Sequence, residues 1–360
     1  MKKRFLTVVL LTAGAFLLAS CDGDKPAVKT GGTQVTGEQA SYRVMAEKLQ
    51  APWVIAFDGD VIYISERDGN IVRVADGRST RMPVQFLKNV HAQGEGGFLG
   101  FVLAPDFQKS NEAYAYHTYE ENGEILNRII VLKLENNAWT ESRALLEGIP
   151  GSFNHDGGRM AIGPDGLLYV TTGDAGQDEL AQDKNSLAGK ILRMKLDGSI
   201  PSGNPFPDSY VYSYGHRNPQ GLAWSSSGMM FVAEHGPSGN PGGHDEINSI
   251  VPGGNYGWPV VIGGQHRDGM IDPVYHTGEG TIAPSGIAMD AGNNLLIATL
   301  RGEKLLQYNT LTKKMAAVLQ NEGRLRDVRV HDGGIYVITN NTDGRGTPSD
   351  RDDRLLLLAK

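Results

Sequence analysis

Met160-Ala161-Ile162-Gly163-Pro164-Asp165-Gly166-Leu167-Leu168-Tyr169-Val170-Thr171-Thr172-Gly173-Asp174 is an apolar run, a tight polar turn and a second apolar run that stops at Gly-Asp. Proline presets φ, aspartate bonds to its own backbone and glycine accepts a positive φ, so Pro-Asp-Gly between apolar runs predicts a β-hairpin. The pattern recurs. Residues 54–60 lead into 61–67, 105–107 into 113–117, 221–224 through Gly228 into 230–235, 286–290 into 295–299, and 328–334 into 335–340. Further strand-like runs follow at 70–74, 129–134, 191–195, 304–308 and 355–359. Six such units at irregular spacing fit radial repetition better than one sandwich. Each small sheet then buries its faces against its neighbours. The expectation is an all-β, six-bladed β-propeller over 42–360, with long insertions in the third and fourth units. If the units are equivalent, the ends of their second strands meet at one face around the axis. Those ends are Glu66-Arg67, His117, Gly173-Asp174, Glu234-His235, Arg301 and Asn340.

Composition agrees. The chain has 360 residues, 47 of them glycine, and strand-like runs far outnumber amphipathic helical ones. A formal charge of −7 argues against nucleic-acid partners, which call for a basic footprint. Residues 1–20 read as an export signal: Met1-Lys2-Lys3-Arg4 is positive, and the apolar run from Phe5 to Leu18 is shorter than a membrane span. The run ends in Leu18-Ala19-Ser20-Cys21, which resembles the lipobox of bacterial lipoproteins and makes Cys21 the expected lipidation site. Cys21 is the only cysteine, so no disulfide can form within the chain. Residues 21–41 are polar and read as a flexible linker. The expected location is the extracytoplasmic face of the bacterial cytoplasmic membrane, with membrane contact through the lipid alone.

Several polar segments fall on the predicted axial face. Asn154-His155-Asp156-Gly157-Gly158-Arg159 precedes the third unit, and His155 is its natural general base because an unperturbed imidazole titrates near neutrality. Tyr212-Ser213-Tyr214-Gly215-His216-Arg217-Asn218-Pro219 sets a guanidinium and an amide on a loop that proline keeps from becoming helical. Arg301, Arg324 and Arg326 come late in the chain. In an extended segment Arg324 and Arg326 straddle Leu325 and face the same side, and converging arginines suit a ligand with several carboxylates. The insertion through Glu234-His235-Gly236-Pro237, Asp245-Glu246 and Asn255-Tyr256-Gly257-Trp258 is dense in oxygen donors, which suits Ca²⁺. Zinc on His235 and His244 is the weaker alternative, since cysteine ligands are absent.

These segments, with Gly94-Glu95-Gly96-Gly97-Phe98-Leu99-Gly100, Ala283-Pro284-Ser285-Gly286, Leu300-Arg301-Gly302 and Arg324-Leu325-Arg326-Asp327, resemble the soluble pyrroloquinoline-quinone-dependent glucose and aldose sugar dehydrogenases from about Leu49 onward. The resemblance implies a six-bladed propeller that oxidises the anomeric carbon of an aldose to a lactone by hydride transfer to the quinone. It implies His155 as base and Arg217 as the group stabilising charge on the reduced quinone. It implies cofactor contacts from Glu95, Asn154, Arg217, Asn218, Leu300, Arg301, Gly302, Arg324, Leu325 and Arg326. One Ca²⁺ would take the carbonyls of Gly236 and Pro237, and a second would use Glu246 and the Tyr256 carbonyl. The electron acceptor would be the respiratory chain or a soluble redox carrier. Glu95 stands where the glucose enzyme has glutamine, Asn154 replaces an aspartate, and Arg301 stands where lysine is usual. These departures suggest a less selective aldose dehydrogenase. A carboxylate near an anionic quinone also needs an arginine or the metal to offset it. The alternatives are a calcium-dependent, lactonase-like propeller hydrolase and a non-catalytic carbohydrate-binding propeller. Neither explains the late arginine cluster.

Overall fold

The computed structural model describes residues 40–239 and 242–359. The expected signal, Cys21 and the linker up to residue 39 lie outside the described residues. Among the described residues no helix is long and apolar enough to cross a membrane.

Strand β1 (Tyr42–Ala46) opens the described chain. A first meander follows as β2 (Pro52–Asp58), β3 (Val61–Glu66), β4 (Asn70–Ala75) and β5 (Arg78–Gln85). The second is β6 (Phe98–Leu103), β7 (Glu112–Glu121), β8 (Glu124–Glu135) and β9 (Ala138–Pro150). The third is β10 (Met160–Ile162), β11 (Leu168–Thr172), β12 (Lys190–Met194) and β13 (Val211–Tyr214). Next come β14 (Pro219–Trp224), β15 (Met230–Glu234), β16 (Glu246–Ile250) and β17 (Tyr275–His276). Then come β18 (Pro284–Met289), β19 (Asn294–Thr299), β20 (Lys304–Asn309) and β21 (Met315–Gln320). The last group is β22 (Leu325–His331), β23 (Gly334–Thr339) and β24 (Leu355–Leu358). Every hairpin expected from the repeat is present. In the second unit, Pro105-Asp106 opens a single helical turn, α1 (Phe107–Ser110), instead of a plain turn.

Four sheets have four antiparallel strands each, and β1 completes the last of them by pairing with β24, Tyr42 opposite Leu358. The first two meanders form one eight-stranded sheet. They are joined by a short parallel contact in which Val84 faces Trp139 and Gln85 faces Thr140. The leading strands β2, β6, β10, β14, β18 and β22 touch in that order, and β22 returns to β2, which closes a circuit of contacts. Glycine lets neighbouring leading strands approach this closely. A Cβ on Gly221 would lie 2.3 Å from the Ser285 carbonyl oxygen, and one on Gly286 would lie 1.9 Å from Asp327 Oδ1.

Hydrophobic clusters fill the wedges between sheets. Leu296, Leu305, Leu319, Val328, Val337 and Leu356 form one such wedge between the last two sheets. Each fully buried side chain of this kind contributes on the order of 1.5–3 kcal/mol. At the inner strands the interior is polar. Arg159 is fully buried, stacks on Trp53 at 4.1 Å, donates Nε–H to the Gln220 carbonyl at 2.8 Å and sits 3.1 Å from Asp327 Oδ1. Asp327 Oδ2 accepts the Ile55 N–H at 3.0 Å, so one carboxylate ties the last sheet to the first. Removing one member of such a buried pair costs about 3–5 kcal/mol, because the other charge stays behind.

Candidate active site

The site is built where the second strands end. A cavity of about 600 Å³ opens there, and His155, Arg217, Asn218, Leu300, Arg301 and Arg324 all line it. His155 sits between β9 and β10 with φ +66°, a left-handed backbone that only surrounding structure holds in place. That structure is specific. The His155 N–H donates to Glu95 Oε2 at 2.9 Å. Its carbonyl packs so close to Gly173 that a Cβ there would lie 1.8 Å away. Its Nδ1 is 2.7 Å from Asp174 Oδ1, and Asp174 is fully buried at the end of β11. Asp174 also accepts the Gly176 N–H at 2.8 Å and, through Oδ2, the Trp258 Nε1–H at 2.8 Å. A carboxylate fixed by two other donors holds Nδ1 as the protonated nitrogen and leaves Nε2 as the base.

Arg217 is buried, with its guanidinium 5.3 Å from the centre of the Trp258 ring. Its one side-chain hydrogen bond runs from Nη1 to the His235 carbonyl at a long 3.4 Å, and its Nε has no partner among the described residues. An under-satisfied cation at a cavity wall suits an anionic group or developing negative charge. Asn218 donates Nδ2–H to Glu95 Oε2 at 3.0 Å and accepts the Gly157 N–H at Oδ1. Glu95 therefore holds both the base and this amide. Burial alone would raise its carboxyl. His235, the His155 N–H and Arg345 outweigh burial and bring it down to about 2.

The three late arginines are not equivalent. Arg301 is exposed and lines the cavity. Arg324 is buried beside it, with Nη2 2.9 Å from Asp343 Oδ2 and Nε without a partner. Arg326 does not line the main cavity. It borders a smaller one of about 20 Å³ that also touches Trp53, Glu95, His235 and Arg345. Its Nη1 donates to Gln220 Oε1 at 3.1 Å and to Ser285 Oγ at 3.2 Å, and burial lowers its guanidinium to about 9. Leu325 between them is fully buried in the hydrophobic core, so it is a spacer with no access to a ligand. Asn154 is exposed, and neither it nor Gly302 borders the cavity.

Gly236 and Pro237 line the main cavity. Glu246 and Tyr256 border a separate cavity of about 20 Å³ together with Glu234. Asn248 Nδ2 bridges Glu234 at 2.6 Å and Glu246 at 3.1 Å. Burial and Glu234 push the Glu246 carboxyl up to about 8. A buried carboxylate, Glu234, and a half-buried one, Glu246, sharing one amide are a donor set that fits a hard cation. Among the described residues no three His, Cys, Asp or Glu side chains group as a metal cage, around His235 and His244 or elsewhere. Arg217, Arg301 and Arg324 on the wall of the main cavity fit a ligand with several carboxylates.

Not every strand end reaches this face. His117 is buried, its ring tilted against Phe86 at 4.9 Å, and burial lowers its imidazole to about 4. Glu66 turns instead to Arg81, 2.6 Å away. Three residues of the site carried no assigned role in the sequence: Asp174, Asp343 and Arg345. Asp174 was visible as the polar end of a second strand. Asp343 and Arg345 sit in a segment whose Asp, Gly and Arg content reads only as turn.

The family model for glucose/sorbosone dehydrogenases matches residues 49–356. The quinoprotein glucose dehydrogenase B of Acinetobacter calcoaceticus is 33% identical over 331 residues, covering 81% of this chain and 68% of its own. The aldose sugar dehydrogenase of Escherichia coli K12 is 31% identical over 344 residues, covering 84% of this chain and 91% of its own. The structure of the PQQ-bound aldose sugar dehydrogenase of Streptomyces coelicolor superposes with a TM-score of 0.81 at 39% identity, over 89% of this chain and 98% of that one. The matched span contains every residue that lines the cavity, and the chain belongs to the glucose/sorbosone dehydrogenase family.

Proposed function

We propose that this protein is a quinoprotein aldose dehydrogenase that oxidises the anomeric carbon of an aldose to the lactone. We also take its fold to be a six-bladed β-propeller, with the eight-stranded sheet counted as two blades meeting at the β5–β9 contact. The observation that carries the functional reading is the His155–Asp174 pair on a cavity whose other walls hold Arg217, Arg301 and Arg324. The names of its relatives, quinoprotein and PQQ-bound among them, support the cofactor.

When bound, pyrroloquinoline quinone supplies the acceptor for the hydride leaving the anomeric carbon, and Ca²⁺ beside it supplies Lewis-acid polarisation. The chain's own residues do the rest. Asp174 keeps the proton on His155 Nδ1, and His155 Nε2 takes the proton of the anomeric hydroxyl as its C–O bond becomes a carbonyl. Arg217 offers buried N–H donors to negative charge developing opposite the base. Arg301, Arg324 and Arg326 bind the cofactor's carboxylates, with Asn218 and Leu300 completing the wall. The carbonyls of Gly236 and Pro237 hold one Ca²⁺, and Glu246 with the Tyr256 carbonyl holds a second.

The enzyme passes its electrons to the respiratory chain or to a soluble carrier, from a lipid anchor on Cys21 at the extracytoplasmic face of the cytoplasmic membrane. Cys21→Ser is expected to move the protein from the membrane fraction to the soluble one, and an unchanged distribution removes the anchor.

Reconstitution tests the activity. Apo-protein is expected to gain dye-linked oxidation of aldoses only when quinone and Ca²⁺ are both added. Silence across a panel of mono- and disaccharides under those conditions sinks the proposal. His155→Ala is expected to abolish turnover and to leave quinone binding largely intact. Wild-type turnover in that variant removes His155 from the base role.

A further inference from the structure

Arg345 lies in the segment between β23 and β24, and it borders two cavities at once. One is the open site. The other is the small polar cavity beneath it, bordered by Arg67, Arg326 and Asp343. Glu95, His235, Leu300 and Arg345 are common to both cavities and so form the partition between them. A carboxylate entering from the mouth meets Arg301 and Arg324 directly. It meets Arg326 only past this partition.

The partition is held by charge. Arg345 Nη1 is 3.0 Å from Glu95 Oε1, and the Arg345 side chain is 47% exposed. The other Glu95 oxygen is committed to the His155 N–H and to Asn218. Arg345 is delivered by a rigid turn, because its own N–H donates to Asp343 Oδ1 at 2.9 Å while Asp343 Oδ2 pairs with Arg324. A guanidinium carries five N–H donors in a planar fork. Among the described residues this side chain spends only Nη1, on Glu95. The rest of the fork is available to a second carboxylate without breaking the first contact.

Resting on the quinone reading above, the geometry points to Arg345 as a further cofactor-binding residue, which bridges Glu95 and a carboxylate of the bound quinone. Glu95 then has two opposed effects: it keeps Arg345 at the partition and it repels the anionic ligand. This is how the protein accommodates an acid on the wall of a cavity lined by arginines.

A double-mutant cycle on quinone affinity tests this, read by quenching of intrinsic tryptophan fluorescence in Ca²⁺ buffer at several salt concentrations. Arg345→Gln is expected to weaken binding about tenfold, the size of one charge-assisted hydrogen bond, and to flatten its salt dependence. Glu95→Gln is expected to tighten binding several-fold. The decisive step is Arg345→Gln in the Glu95→Gln background. A bridging Arg345 still costs several-fold there, less than in the wild-type background because Glu95 no longer holds it in place, since its own contact with the ligand carboxylate remains. A counter-ion that only neutralises Glu95 costs nothing there, and that result overturns the inference. Arg345→Lys keeps the charge without the fork and is expected to recover part of the loss. Wild-type protein that shows no quenching with the quinone removes the quinone reading itself, and this inference with it.

Discussion

On the proposed function, Asp174 decides whether His155 can work as a base. It faces three donors, from His155, Gly176 and Trp258, and only a carboxylate has acceptors for all of them. Asp174→Asn puts an N–H against one of those donors and disturbs the imidazole tautomer. The expected loss is roughly a hundredfold or more in kcat with little change in KM, measured by steady-state kinetics on reconstituted enzyme. Asp156, next to the base, behaves differently. Burial pushes its carboxyl up to about 7 against the Asn127 and Ser152 donors, and its Oδ2 is unpartnered. A carboxyl raised on folding favours the native state fully only below its unfolded pKa, near 4. That contribution is lost as pH climbs through about 7. Asp156→Asn is therefore expected to gain stability relative to wild type between about pH 4 and pH 7, by on the order of 1 kcal/mol per pH unit, in denaturant melts at several pH values. His155 and Arg217 were legible in the sequence because such side chains stand out among turn formers. Arg345 was not, because its contact with Glu95 spans 250 residues and no local pattern encodes it.

The hairpin units were legible element by element because each Asp/Gly turn sits between runs of one period. Two features escaped that logic. The β5–β9 contact joins two meanders edge to edge, and edge pairing leaves no periodic trace. The second strand of the second unit, β7, runs on to Glu121, so His117, where the repeat suggested a group at the mouth, lies inside the strand and is buried with Phe86 against it. Where one leading strand meets the next, glycine sets the spacing. Gly221→Ala drives a methyl toward the Ser285 carbonyl, and backbone cannot swing away as a side chain can. The expected cost is about 1–3 kcal/mol, read as a lowered Tm, while Gly203→Ala, where φ is not positive and the nearest atom is the end of the Arg193 side chain at 3.9 Å, should cost less.

At the scale of the molecule, the circuit of leading strands closes between β22 and β2, and β1 seals the last sheet from the other end of the chain. A chain beginning at Ala40, which already bonds to Val318, is expected to melt like the full protein. One beginning at Glu47 lacks β1 and bares the β24 edge. It should melt lower and aggregate, by calorimetry and light scattering. The same pairing fixes where the chain enters. Tyr42 faces Leu358, and Leu358 faces Ile335 beside the His331-Asp332-Gly333 turn, whereas Arg324 and the cavity lie at the opposite ends of the strands. A strand of six residues separates the two faces by roughly 20 Å. Protein fixed to a bead or an electrode directly at the Tyr42 end of β1 thus turns its mouth to the solution. On the proposed function, sugar enters freely in that orientation, and the current is expected to depend on a dissolved mediator that can visit the mouth instead of on the surface below.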